Sequence, residues 1–232
     1  MSFDLTEWVI DVLKTPTDRD KQKLIGPSGL GTLCTRCLAD YLLNGQFDET
    51  NRYWLGSVVG TSIHELFSSR VQKDPNVLSE FKVEIGEISG YGKIKGTTDL
   101  YVRSEKMIVD LKSTTRKKLA MYRRVLLDSD PSASLASYRH TINGYVNQTM
   151  VYGWGVSRQG LPVKKVAIAF IPRDGTGGSD IWTWTTAYNQ ERAEQVWNRA
   201  VALWEWLQAG NNPDTLPSAD GCYYCTTTRG VK

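Results

Sequence analysis

The sequence predicts an α/β protein with a central mixed β-sheet flanked by helices, and three observations carry that expectation. Apolar residues recur at helical spacing in the first third of the chain. They switch to period two over three successive runs in the middle, and helical and strand patterns then alternate toward the C-terminus. Side chains one helical turn apart share a face, whereas strand side chains alternate faces, so the two periods identify different elements.

Leu5, Trp8, Val9, Val12 and Leu13 fall at helical spacing, so an amphipathic helix opens the chain and should end near Thr15-Pro16. After a charged loop, Pro27-Ser28-Gly29 precedes Leu30, Leu33, Cys37, Leu38 and Leu42. Ser28 is then the expected N-cap of a second helix. A third helix is expected from Tyr53 to Val71, carrying His64. Its Gly56 and Gly60 lie one turn apart and would allow a close neighbour.

Val77 to Glu87, Lys93 to Val102 and Lys106 to Ser113 read as strands. The turn residues Ser89-Gly90 and Arg103-Ser104 between them predict an antiparallel meander. Helices are expected from Lys117 to Leu127 and from His140 to Val156, with a loop around Asp128-Ser129-Asp130-Pro131 between them. Strands follow from Val163 to Pro172 and from Ile181 to Thr186, and a last helix from Asn189 to Gln208. The segment from Asn211 to Ser218 reads as a loop. Trp182 and Trp184 alternate on one strand face and Trp197 and Trp204 share a helix face, so both pairs are expected in the core.

At 232 residues, with 41% hydrophobic and 23% charged residues, the composition excludes disordered and fibrous classes. One domain spanning 1–232 is expected. The acidic Met1 to Glu7 opening is not a secretory signal, and the apolar run from Val166 to Ile171 is too short to span a bilayer. A cytoplasmic location follows as an expectation. The net charge of +3 is too mild to imply nucleic acid, but Arg116, Lys117, Lys118, Arg123 and Arg124 are concentrated locally. They form either a solvated helix face or a track for phosphates.

Two pairs, Cys34-Thr-Arg-Cys37 and Cys222-Tyr-Tyr-Cys225, stand near opposite ends of the chain. In a reducing compartment such pairs are metal ligands rather than disulfides. Together they supply the four sulfurs that a zinc ion or an iron-sulfur cluster requires. Spacing alone leaves both metals open. Either would staple the N-terminal region to the C-terminal one.

The strand Met107-Ile108-Val109-Asp110-Leu111-Lys112 puts Asp110 and Lys112 on one face, and Leu111 on the other. An antiparallel neighbour would bring Asp99 beside Asp110. Two such carboxylates repel unless a cation lies between them, and Mg²⁺ or Mn²⁺ prefers oxygen ligands. Lys112 could then orient a water or stabilise charge on a phosphate. Taken alone, an Asp-x-Lys strand reads equally as a surface ion pair.

Gly60-Thr61-Ser62-Ile63-His64-Glu65, Gly96-Thr97-Thr98-Asp99, Val109-Asp110-Leu111-Lys112-Ser113 and Gln148-Thr149-Met150-Val151-Tyr152 resemble, in order, the motifs of the PD-(D/E)XK nuclease superfamily. The nearest branch is the RecB-like exonucleases, which include the CRISPR-associated Cas-four family and related phage exonucleases. The resemblance covers nearly the whole chain.

It implies a restriction-endonuclease-like core in a single nuclease domain, with metal-staple segments at 28–43 and 218–228. It also implies a metal-dependent exonuclease acting on linear or single-stranded DNA in recombination, repair, replication or spacer processing. His64, Asp99 and Asp110, with the Leu111 position between the strand motif residues, would hold Mg²⁺ or Mn²⁺. Lys112 would assist the attacking water, and Gln148 and Tyr152 would contact DNA or orient the catalytic groups. DNA is the implied partner, with a helicase, recombination or integration complex as further partners and no membrane.

The family's cysteines hold a [4Fe-4S] cluster, split one upstream and three downstream. Here the split is two and two, and Cys34 best matches the upstream ligand. The resemblance puts iron-sulfur ahead of the Zn²⁺ alternative. Two other classes remain open: a catalytically silent DNA-binding or recombination-accessory protein, and a zinc-stapled interaction module.

Overall fold

The computed structural model describes residues 4–13, 24–45, 54–128 and 132–227. Helix α1 (Leu5–Leu13) begins at Asp4, whose Oδ1 accepts from the amides of Thr6 and Glu7 at 2.8 and 3.1 Å. Leu5, Trp8 and Val12 are more than half exposed. The expected end of this helix at Thr15-Pro16 and the Tyr53 start of the third helix lie outside the described residues, as does Ser129-Asp130-Pro131.

The helix expected to start at Ser28 is two helices, α2 (Pro27–Leu30) and α3 (Thr35–Asn44), and Ser28 caps neither. Gly26 precedes α2, where Pro27 sits at the first helical position, and Cys34 occupies the N-cap of α3. The break has a packing cause. A Cβ at Gly31 would lie 2.5 Å from the carbonyl oxygen of Gly144, so the chain turns there against a later helix. Helix α4 (Trp54–Val71) follows.

The sheet has five strands in the order β1-β2-β3-β4-β5: β1 (Val77–Ile88), β2 (Gly92–Val102), β3 (Met107–Thr114), β4 (Lys165–Pro172) and β5 (Trp182–Ala187). The first three form the expected antiparallel meander. β3 and β4 pair in parallel from Met107↔Lys165 to Thr114↔Pro172, and β5 returns antiparallel to β4, so the sheet is mixed. A parallel pair needs a long crossover. Helix α5 (Arg116–Arg123), a wider turn over Arg124–Asp128 and helix α6 (Ala136–Arg158) supply it.

Helix α6 packs on the sheet and against α7 (Gln190–Gln208). Its approach to β1 is close: a Cβ on Gly155 would meet Val83 Cγ1 at 2.4 Å. Ile85, Ile94, Ile108, Ile142, Val151, Ile168 and Phe170 form the dry centre of this core. Trp182 and Trp184 pack against it, as do Trp197 and Trp204. The Trp182 ring stacks on Phe170, centroids 5.6 Å apart.

The tail after α7 ends in a short helix α8 (Tyr223–Thr227) beside α3. Arg36 ties the two regions by donating to the carbonyls of Leu216 at 2.8 Å and Asp214 at 2.7 Å. Arg199 of α7 holds the α2–α3 turn by donating to the carbonyls of Leu30, Thr32 and Leu33. Among the described residues no helix is long and apolar enough to cross a membrane.

Candidate active site and cysteine cluster

The β2–β3 register runs Leu100↔Val109, Tyr101↔Ile108 and Val102↔Met107, and one step further Asp99 stands level with Asp110. Ladder pairing stops there because a side chain takes over the hydrogen bond. Asp99 Oδ2 accepts from the Leu111 amide at 2.7 Å. Its other oxygen lies 2.9 Å from His64 Nδ1, which α4 carries across from its packing against β1 and β3. That hydrogen bond raises the pKa of His64 above its ordinary value, against the opposing effect of burial.

Asp110 is buried, with only 2% of its surface exposed. Burial pushes its carboxyl up to about 6, against the pull of Lys112. Lys112 Nζ lies 2.9 Å from Asp110 Oδ2. The ammonium also donates to Gln148 Oε1 at 3.0 Å, so its three N–H groups are shared between the carboxylate and the amide. The same ammonium sits 4.7 Å from the centroid of the Tyr145 ring. Tyr145 and Gln148 are one turn apart on α6, so one helix face holds the lysine from two sides.

The fold thus brings His64, Asp99, Asp110, Lys112 and Gln148 together, with Leu111 joined through its amide. Tyr152 lies one turn beyond Gln148, buried in the core, with its ring against Gly96 of β2. Sequence reasoning missed two neighbours. One is Tyr145, whose signal is its spacing of three from Gln148. The other is Glu80 of β1, which offers an oxygen within 4.8 Å of ligand atoms on both His64 and Asp99.

The flanking pairs Ser79↔Leu100 and Phe81↔Thr98 put Glu80 level with Asp99. Three carboxylates therefore line up across three adjacent strands. Glu80 has φ 47°, a left-handed conformation that a non-glycine residue adopts at a cost of order 1–3 kcal/mol. Nothing in the local sequence marks it, since its position means something only once the hairpin register is known.

A buried carboxylate beside further carboxylate and imidazole donors suits a hard divalent cation. His64, Glu80 and Asp99 bring ligand atoms within 4.8 Å of one another and could hold it, with Asp110 level with Asp99 on the next strand. Arg116, Lys117, Lys118, Arg123 and Arg124 are all exposed on the segment leaving β3, and the Arg123 guanidinium lies 5.4 Å from the Trp182 ring centroid.

The four cysteines converge as buried free thiols. Sulfur separations are 3.6 Å for Cys34 to Cys225, 3.4 Å for Cys37 to Cys222 and 3.6 Å for Cys37 to Cys225. These exceed the roughly 2.05 Å of a disulfide. Crowding splits their protonation. Hydrogen bonding from Cys37 lowers the pKa of Cys34, that same bond raises Cys37, and burial raises Cys225. Four apposed sulfurs ionise together only around a cation, so the donor set fits a thiolate metal site that joins α3 to α8.

The chain shares its fold with the crystal structure of an alkaline exonuclease from Laribacter hongkongensis. The TM-score is 0.52 at 8% sequence identity, covering 81% of this chain and 89% of that one. It is also similar to a phage-related exonuclease from Haemophilus somnus, with a TM-score of 0.45, 16% identity, and 90% and 91% of the two chains covered. The first likeness is one of fold. No family model and no curated protein matches the sequence.

Proposed function

We propose that this chain is a divalent-metal-dependent deoxyribonuclease that hydrolyses phosphodiester bonds from the ends of linear DNA. One observation carries the reading: ligand atoms of His64, Glu80 and Asp99 lie within 4.8 Å of one another, beside the buried Asp110–Lys112 pair. A cation held by His64, Asp99 and Asp110 would supply an activated water and neutralise charge on the attacked phosphate. Leu111 contributes by fixing Asp99 through its amide. Gln148 and Tyr145 keep the Lys112 ammonium beside Asp110, where it orients the water and steadies the phosphate as negative charge builds. Tyr152 supports α6 against β2.

For the cysteine site, sulfur spacing favours one zinc ion over an iron-sulfur cube. A tetrahedron with metal–sulfur bonds of about 2.3 Å has edges of about 3.8 Å, close to the 3.4–3.6 Å separations here. In a four-iron cube each thiolate binds a different corner and must stand farther from its neighbours.

The test is degradation of linear double- and single-stranded DNA by purified protein with Mg²⁺, with Mn²⁺ and with EDTA. The reading requires hydrolysis with either ion and none with EDTA. Metal analysis of the same preparation should return one zinc per chain and no iron.

A further inference from the structure

The two edges of the sheet are built differently. β1, at one end, carries Glu80, Lys82, Glu84 and Glu87, and its register shifts between Glu84 and Gly86. Two of its carbonyls are already occupied: Ile85 accepts from the Arg158 side chain at 2.9 Å and Lys82 from that of Gln159 at 3.4 Å. Charge, a bulge and covering side chains are the usual guards against a further strand. β5, at the other end, reads Trp182-Thr-Trp-Thr-Thr-Ala187. It contains no charge, proline or glycine, and its pairing with β4 runs without a register shift.

Two bonds fix the direction of its backbone groups. The Arg173 amide donates to Thr114 on the β3 side of β4, and the Tyr188 amide donates to Lys164 on the β4 side of β5, at 2.9 and 2.8 Å. Backbone groups alternate sides along a strand. Those of Trp182, Trp184 and Thr186 therefore turn toward β4, and those of Thr183, Thr185 and Ala187 turn outward. Among the described residues no hydrogen bond reaches this outward row, and the three side chains are exposed as well.

We propose that β5 pairs with β5 of a second copy of this chain, antiparallel about a two-fold axis at Thr185, so that one sheet runs through both molecules. The strand is its own complement in that register. Thr185 faces Thr185 of the second copy and Thr183 faces its Ala187, so every outward amide and carbonyl finds a partner. Trp184 faces Thr186 on the side where Trp182 stacks on Phe170. Threonine pairs and aromatic–β-branched pairs both stabilise antiparallel neighbours, and no like charges meet because the strand has none. A self-complementary edge of this kind closes at two copies. The inference does not depend on the nuclease reading.

Thr185→Pro tests it, because it removes an outward amide and leaves the β4 ladder whole, the placement in which an edge strand accepts proline. Sedimentation equilibrium of metal-replete wild type and variant should show a wild-type dimer and association at least tenfold weaker for Thr185→Pro. Register is tested by cysteine. Hydrogen-bonded antiparallel partners have Cα atoms about 5.5 Å apart, within disulfide reach. Mild oxidation should therefore join two copies of Thr185→Cys through position 185, located by mass spectrometry, and should not join Thr183→Cys, whose opposite residue is Ala187.

A wild type that stays monomeric throughout the micromolar range overturns the proposal and leaves the edge to an extended segment of another protein. A dimer that Thr185→Pro leaves equally tight places the interface elsewhere and overturns it too, as does cross-linking through position 183 but not 185. Should Thr185→Pro melt below the wild type, Thr185→Lys carries the same comparison: it keeps the backbone and sets like charges across the axis, and wild-type association by that variant contradicts the pairing.

Discussion

Asp110 and Lys112 stand two residues apart on β3 with carboxylate and ammonium 2.9 Å apart, and the same ammonium donates to Gln148. Burying the Asp110 carboxylate has a cost that is measurable. Asp110 titrates near 6 in the fold against 3.8 when unperturbed. The folded protein therefore binds more protons than the unfolded chain between about pH 4 and 6. Stability contributed at low pH is lost as pH rises through the folded value.

Asp110→Asn removes that penalty while keeping the shape. In EDTA at pH 8 the variant should melt above the wild type by several degrees, reflecting a contribution on the order of 1–3 kcal/mol. At pH 4 the two should converge. A thermal melt of both proteins at the two pH values measures this directly, and a variant that melts lower at pH 8 would show that Asp110 is a structural ion pair.

Glu80→Gln should weaken the site without destroying it, because Glu80 approaches His64 and Asp99 but not through the Asp-x-Lys strand. The expected outcome is a Mg²⁺ requirement raised roughly 10–100-fold, with the rate restored at high Mg²⁺. Titration of the cleavage rate with Mg²⁺ reads it. Unchanged Mg²⁺ dependence would leave Glu80 outside the site.

Cys222→Ser should lower bound metal and the melting temperature together, since metal affinity at such a site is folding free energy. Cys37 and Cys222 are separated by 185 positions in sequence and 3.4 Å in space, so the substitution frees the tail from α3. Metal analysis beside a thermal melt tests it. Depletion of the metal with no change in melting would make the cluster dispensable for the fold.

Much of this arrangement is legible in the sequence. Period-two runs and turn residues foretell the meander, and the meander's register sets Asp99 level with Asp110. The parallel pairing of β3 with β4 is not legible, because it depends on how far the α5–α6 crossover carries the chain. Ser28 looks like a helix cap, but the contact that splits α2 from α3 is between Gly31 and Gly144, more than a hundred positions apart. Glu80 escapes for a similar reason: its role needs a partner that only the hairpin supplies. The cysteine spacing foretells the cluster but does not separate one ion from a cube, since that choice lies in sulfur–sulfur distances.

Arg123 and Arg124 leave the Asp-x-Lys strand on an exposed segment, so their joint replacement by alanine should weaken DNA binding about equally for all sequences. Interactions with phosphates carry no base code. The slope of log affinity against log salt should become shallower by roughly one for each phosphate that is no longer neutralised. A salt titration of both proteins measures it, and coincident slopes would make this face a solvated helix surface.

The central claim is that Asp110 helps hold a catalytic cation, and the most direct measurement is the Mg²⁺-dependent degradation rate of linear DNA by the wild type and by folded Asp110→Asn. Removing the cation's several kcal/mol of transition-state stabilisation predicts a fall of about 10²–10³-fold or more. Circular dichroism should show the same fold for both proteins. An Asp110→Asn protein that degrades DNA at the wild-type rate would contradict the account.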